Sequence, residues 1–150
     1  MAQQMTYTTA GTAETEAVGR ALCERLLAAG RRTAFVALFG DLGVGKTAFV
    51  RGMARGMGLT CRVSSPTFTI VNEYEGPREL IHFDMYRLGS SDELFDIGWD
   101  DYLARGGVCA VEWSERVADA LPEGTIFVDI ARGAEGEDSR VITVTGGSLA

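Results

Sequence analysis

The stretch from Thr33 to Thr47 restricts this chain more than any other. Thr33-Ala-Phe-Val-Ala-Leu-Phe39 is a continuous apolar run of strand length, and Gly40-Asp-Leu-Gly-Val-Gly-Lys46-Thr47 follows it directly. Unbroken rather than alternating apolarity implies a strand covered on both faces, as in a parallel sheet. The residues after it match G-x-x-x-x-G-K-[ST], the phosphate-binding loop. In a chain of this composition such a match arises by chance about 0.002 times, so coincidence is a poor account of it. Lys46–Met57 then reads as a helix closed by Gly58, which completes the strand–loop–helix context that a phosphate loop requires.

The residue types have physical reasons. Gly43 and Gly45 let backbone N–H groups turn inward without a Cβ in the way. The start of the helix adds unsatisfied N–H groups and a positive dipole end. Lys46 brings a mobile charge to β- and γ-phosphate oxygens, and Thr47 offers a hydroxyl to Mg²⁺. The expected nucleotide-binding set is therefore Asp41, Leu42, Gly43, Val44, Gly45, Lys46, Thr47 and Ala48, with a nucleoside triphosphate as ligand and Mg²⁺ as cofactor.

The remaining pattern fits an α/β fold. A β-like start at Thr6–Thr9 leads to Thr12 as an expected N-cap, with Glu14 and Glu16 in the first turn. Val18, Leu22, Leu26 and Ala29 recur at helical spacing up to Gly30. Thr67–Tyr74 and Leu80–Met85 read as strands of an antiparallel hairpin around Glu75-Gly-Pro77. Ser90-Ser-Asp-Glu93 resembles a capping box opening a short helix, with Leu94, Ile97 and Leu103 as buried candidates. Val108–Val111 is another buried strand, and Ser114–Ala120 a short helix before Pro122. Thr125–Ile130 and Val141–Thr145 form a last strand pair around the acidic loop Gly133–Ser139. Together these predict one three-layer α/β domain of the P-loop NTPase type across residues 1–150, with a mainly parallel sheet and an antiparallel hairpin or edge.

A phosphate loop also needs a carboxylate on the metal side and a group to orient water. Asp84 closes one apolar strand and Glu112 closes another, and residue types alone do not rank them. His82 shares a strand face with Asp84 and reads as a structural histidine rather than a catalytic one. Ser64–Phe68 has two open readings, a γ-phosphate-sensing loop or a polar turn. The absence of N-K-x-D argues against a guanine reader, since Asn72 is the only asparagine.

Composition narrows the partners. The formal net charge is -7, and of the 14 Lys+Arg only Lys46 is lysine. A broad nucleic-acid face is disfavoured, so DNA is not expected as a partner. No segment has the signature of an export signal or a membrane span, which predicts a cytoplasmic protein. Cys23, Cys61 and Cys109 are isolated and odd in number, as expected of small core residues in a reducing compartment.

Several segments together resemble the bacterial tRNA threonylcarbamoyladenosine biosynthesis ATPases, the TsaE family. They are Gly40–Thr47, Val63-Ser-Ser-Pro-Thr-Phe-Thr-Ile-Val-Asn-Glu-Tyr74, Ile81-His-Phe-Asp-Met-Tyr-Arg-Leu88 and Val111-Glu-Trp-Ser-Glu115. The likeness runs from about Thr8 to Val144, and the H-F-D-x-Y-R-L and V-E-W-x-E strings are far more specific than the phosphate loop. It implies an ATPase that supports modification of the adenosine beside the anticodon. In that family the ATPase binds a complex of TsaD and TsaB and resets it between turnovers. The resemblance further implies that Lys46 and Thr47 serve phosphate and Mg²⁺, that Glu112 is the second metal-side acid, and that Asp84 is needed for hydrolysis. It places Trp113 close to the nucleotide, Ser65, Pro66 and Thr67 in a switch-like segment, and the stretch around Thr12 beside the adenine.

Hydrolysis by the isolated chain is expected to be slow, because no arginine finger stands out beyond the candidates Arg87 and Arg116. The main competing reading is a P-loop small-molecule kinase with an acceptor pocket near Gly106-Gly107. Its missing arginine-bearing lid counts against it, since Gly133–Ser139 is acidic and short. A nucleotide-dependent binding module without turnover is a third reading.

Overall fold

Ala34–Phe39 is the strand on which the architecture turns, as its unbroken apolarity predicts. The computed structural model describes residues 3–30, 33–41, 43–60, 63, 71–76, 78–85 and 98–146. In chain order the elements are β1 (Gln3–Thr9), α1 (Thr12–Ala28), β2 (Ala34–Phe39), α2 (Lys46–Gly56), β3 (Val71–Tyr74) and β4 (Leu80–Asp84). There follow α3 (Trp99–Ala104), β5 (Val108–Glu112), a 3₁₀ helix (Ser114–Ala120), β6 (Ile126–Arg132) and β7 (Arg140–Gly146). The strands form one sheet in the order β1-β7-β6-β2-β5-β4-β3.

The four central strands β6, β2, β5 and β4 are parallel, and antiparallel pairs finish both edges. Burial follows this division. β2 and β5 are buried along nearly their whole length, whereas β6 alternates, with Phe127 and Asp129 exposed between buried Ile126, Val128 and Ile130. Continuous runs therefore mark strands covered on both faces, and alternation marks the side where one face meets water.

One face of the sheet presents Val36, Leu38, Leu80, Val108 and Ala110 to a core that includes Leu22 and Leu26 of α1 and Phe49, Val50 and Met53 of α2. The other face presents Phe35, Ala37, Phe83, Cys109 and Val111 to Trp99. There the Phe83 ring makes edge-on contacts with Trp99 at 5.1 Å and Tyr102 at 5.3 Å. The result is the expected three-layer α/β arrangement.

Some local expectations differ from the structure. Thr12 is the first residue of α1, not its cap; Gly11 is the N-cap and its carbonyl accepts the Thr15 N–H at 3.1 Å. The extended backbone of Gly11 already brings the chain into the first turn, so the threonine hydroxyl is not needed there. The short helix expected at Ser114–Ala120 is present and is 3₁₀ in type. Residues 67–70 of the expected strand, the Ser90–Glu93 capping box, Leu94, Ile97 and the Leu103 side chain lie outside the described residues. Cys23 and Cys109 are buried free thiols, and burial pushes both up to about 12. Cys61 is outside the described set. Among the described residues no helix is long and apolar enough to cross a membrane.

α1 and α2 pack with unusual closeness. A Cβ on Gly52 would lie 1.9 Å from the Glu16 carbonyl oxygen, and one on Gly19 would lie 2.2 Å from that of Phe49. Only glycine lets these backbones meet, and the Arg51–Glu16 ion pair at 2.8 Å closes the rim of the contact. Gly52→Ala is accordingly expected to lower stability by about 1–3 kcal/mol through overpacking, despite the roughly 1 kcal/mol gain in helix propensity. Urea unfolding checks this, and a raised midpoint would show that the helices separate without cost.

Candidate functional site

β2 delivers the chain to Gly40 at the carboxyl end of the parallel sheet, where open α/β folds bind ligands. Gly40 has φ +149, and a Cβ there would lie 2.6 Å from the Ile130 carbonyl oxygen. Gly45 is the N-cap of α2 at φ +109, and the Phe49 N–H bonds to its carbonyl at 3.0 Å. Positive φ at both ends of the loop explains why glycine stands there. Between them Val44 is buried as a plug.

Lys46 opens α2 with only 4% of its surface exposed. Its Nζ donates to the Gly40 carbonyl at 2.6 Å and lies 3.5 Å from the centre of the Trp113 ring. Burial lowers its pKa, and the carboxylates of Glu115, Glu112, Asp84 and Asp41 oppose that shift. Trp113 is the one described non-glycine residue with positive φ, at +57. This conformation turns the chain sharply from β5 into the 3₁₀ helix and sets the indole over the amine, a position costing roughly 1–3 kcal/mol for a bulky side chain.

The two strand-end acids meet as neighbours. β4 and β5 pair in parallel with Asp84 opposite Glu112, and adjacent strands lie about 4.8 Å apart. Glu112 is buried at 4% exposure, and its Oε2 accepts the Thr47 hydroxyl at 2.9 Å. The same oxygen lies 2.5 Å from Nε2 of His82, whose ring is wholly buried. Thr47 and Glu112 thus offer hard oxygen donors of the kind Mg²⁺ takes, alongside oxygens from a bound phosphate. Among the described residues no group of three or more His, Cys, Asp or Glu could hold a metal by itself.

Beside the loop lies a cleft of about 570 Å³ lined by Thr8, Thr9, Ala10, Glu14 and residues 135–139. Arg140 ties it to the phosphate loop: Nε donates to the Val44 carbonyl at 2.9 Å, and Nη1 to the carbonyls of Glu137 and Ser139. Thr9 and Thr15 join their hydroxyls at 3.0 Å on the opposite wall. Thr12 is exposed at the start of α1 and does not line the cleft. Asp41, Gly43 and Ala48 stand in or next to the loop as expected, while Leu42, Ser65, Pro66, Thr67, Arg87 and the Arg116 side chain lie outside the described residues.

Two contributors had no assigned role in the sequence reading, and a third, His82, was read there as a structural histidine. Glu115 accepts the Gly40 N–H at 3.3 Å, Arg140 holds the loop, and His82 contacts Glu112. Glu115 lay within the V-E-W-x-E string, and His82 shared a face with a strand-end acid; Arg140 carried no signal.

A family model described as "Threonylcarbamoyl adenosine biosynthesis protein TsaE" matches residues 9–142. The chain is 46% identical over 109 residues to the tRNA threonylcarbamoyladenosine biosynthesis protein TsaE of Treponema pallidum, covering 73% of this chain and 79% of that one. It is 41% identical over 145 residues to the protein of the same description from Bacillus subtilis, covering 95% and 86%. The crystal structure of Bacillus subtilis YdiB superposes with a TM-score of 0.76 at 35% identity, over 97% of this chain and 87% of that one.

The geometry makes Trp113 the cover of the lysine. Since Lys46 is the only lysine in the chain, Trp113→Ala is expected to raise its acylation rate at least about threefold without nucleotide. Mass spectrometry of the labelled chain measures this. An unchanged rate would mean that the indole does not shield the amine.

Proposed function

The chain belongs to the threonylcarbamoyl adenosine biosynthesis protein TsaE family, and from that membership we propose that it hydrolyses ATP in support of tRNA threonylcarbamoyladenosine formation. The observation that carries the reading is the meeting of Lys46, Thr47 and Glu112 at the carboxyl end of the parallel sheet.

In this reading the loop N–H groups and the start of α2 receive the β- and γ-phosphates, and Lys46 exchanges the Gly40 carbonyl for phosphate oxygens. Thr47 and Glu112 would hold Mg²⁺, which would supply charge screening for the transferring phosphoryl group. Asp84, one strand over, orients the attacking water toward the γ-phosphorus. Ser65, Pro66 and Thr67 form the switch-like segment. Ribose and adenine occupy the cleft, whose volume lies within the usual range for ligand pockets. Its carboxylates at Glu14, Glu135, Glu137 and Asp138 repel phosphates and so favour the uncharged end of the nucleotide there.

The partner in this proposal is a complex of TsaB and TsaD in the cytoplasm, with tRNA reached only through it. The net charge of -7 makes direct tRNA binding weak. Slow turnover by the isolated chain, expected without an evident arginine finger, fits a role in which ATP turnover resets that complex.

Reconstituted tRNA modification over several turnovers tests the proposal. Product is expected to accumulate beyond one equivalent per complex only with this protein and ATP, and Lys46→Ala is expected to abolish the gain. Asp84→Ala is expected to bind nucleotide yet lose about 10²–10³-fold in hydrolysis. Wild-type turnover in that variant would remove Asp84 from the mechanism. Arg140→Ala, which frees the cleft wall from Val44, is expected to raise the KM for ATP about three- to tenfold with kcat changed far less.

A further inference from the structure

We propose that His82 is the positioning residue for Glu112, holding that carboxylate in the orientation that presents Thr47 to a nucleotide-bound divalent cation. The inference rests on the ATP-binding reading above and adds a member to its site.

His82 lies in the middle of β4 with none of its surface exposed. Strand alternation turns it to the same face as Leu80, toward α2, and Glu112 reaches that face from β5. The imidazole has one polar contact of note, Nε2 with Glu112 Oε2 at 2.5 Å, and Nδ1 has no hydrogen-bond partner among the described residues. An ionised carboxylate is acceptor only, so Nε2 must carry the proton in this contact. The neutral ring is then the Nε2–H tautomer, with the Nδ1 lone pair unmatched in the core.

An apolar side chain of similar size would fill the same space without that unmatched nitrogen. What the histidine adds is its hydrogen bond to Glu112. Glu112 needs it, because one oxygen, Oε2, accepts from both His82 and Thr47. Two donors arriving from different elements, a strand and a helix, fix the carboxylate against rotation. With its proton committed to Glu112, the Thr47 hydroxyl turns its lone pairs away from that acid and toward the loop. The arrangement follows the general logic of partners behind a metal ligand, whose loss commonly costs 10–100-fold in metal affinity or activity.

His82 is the only histidine in the chain, so ¹⁵N NMR reads its ring without ambiguity. The wild-type protein is expected to show the Nε2–H tautomer with a slowly exchanging, strongly downfield ring proton, and Glu112→Ala is expected to remove that signature. The Nδ1–H tautomer, or a ring spectrum indifferent to Glu112→Ala, overturns the proposal without requiring any variant at position 82 to fold.

The second arm compares His82→Gln, whose amide reaches the place of Nε2, with His82→Asn, whose amide does not. Binding of ATP is measured with EDTA and across a Mg²⁺ titration. His82→Asn is expected to raise the Mg²⁺ concentration at half-effect about tenfold while leaving metal-free affinity within twofold, and His82→Gln to restore most of the loss. Equal Mg²⁺ dependence in wild type and His82→Asn overturns the positioning role. A wild-type chain that binds no Mg·ATP fails differently, by removing the ATP reading itself.

Discussion

Lys46 carries its ammonium into a site almost closed to water, where an isolated charge is costly unless it is paired and hydrogen-bonded. The carboxyl end of the sheet is built to meet that demand. The Gly40 carbonyl accepts its hydrogen bond, the Trp113 ring covers the amine, and Glu115, Glu112, Asp84 and Asp41 surround it with negative charge. These groups come from the loop after β2, the ends of β4 and β5, and the start of the 3₁₀ helix. Their meeting depends on the parallel register of the central strands. A displaced strand would leave the buried charge without its partners.

The lysine also explains the shape of its surroundings. Its hydrogen bond to Gly40 and its contact with the Trp113 ring hold the amine between the loop and the end of β5. Trp113 holds a backbone conformation rare for a bulky residue, and strain of this kind persists only where neighbouring structure over-determines it. Here β5 fixes one side, and the 3₁₀ helix, with buried Ser114 bonded to the Val111 carbonyl, fixes the other. Below the loop, the glycine contact between α1 and α2 brings the start of α2 close to Thr15, whose hydroxyl meets that of Thr9 in the wall of the cleft.

Charge is distributed by task along this surface. The buried cation faces the sheet end, while the exposed acids of the β6–β7 loop rim the cleft. Arg140 joins the two regions through backbone carbonyls rather than carboxylates, so its fork fixes geometry without neutralising the acidic rim. A nucleotide bound across both would meet positive charge at its phosphates and hydrogen-bonding, negatively charged walls at its sugar and base.

The parts of this protein legible in sequence are those whose cause is local. An unbroken apolar run marked β2, the glycine and lysine spacing marked the turn from β2 into α2, and apolar runs ending in acids picked out Asp84 and Glu112 without ordering them. Thr12 was misread because an N-cap depends on where the preceding backbone turns, which Gly11 decided. Which residues became partners was settled only by the tertiary structure: Glu115 with the Gly40 amide, Arg140 with Val44, and His82 with Glu112 are separated by 75, 96 and 30 positions. No periodicity reports such pairs. They exist because parallel strands must be joined by crossovers, and a crossover brings together strand ends that the chain keeps far apart.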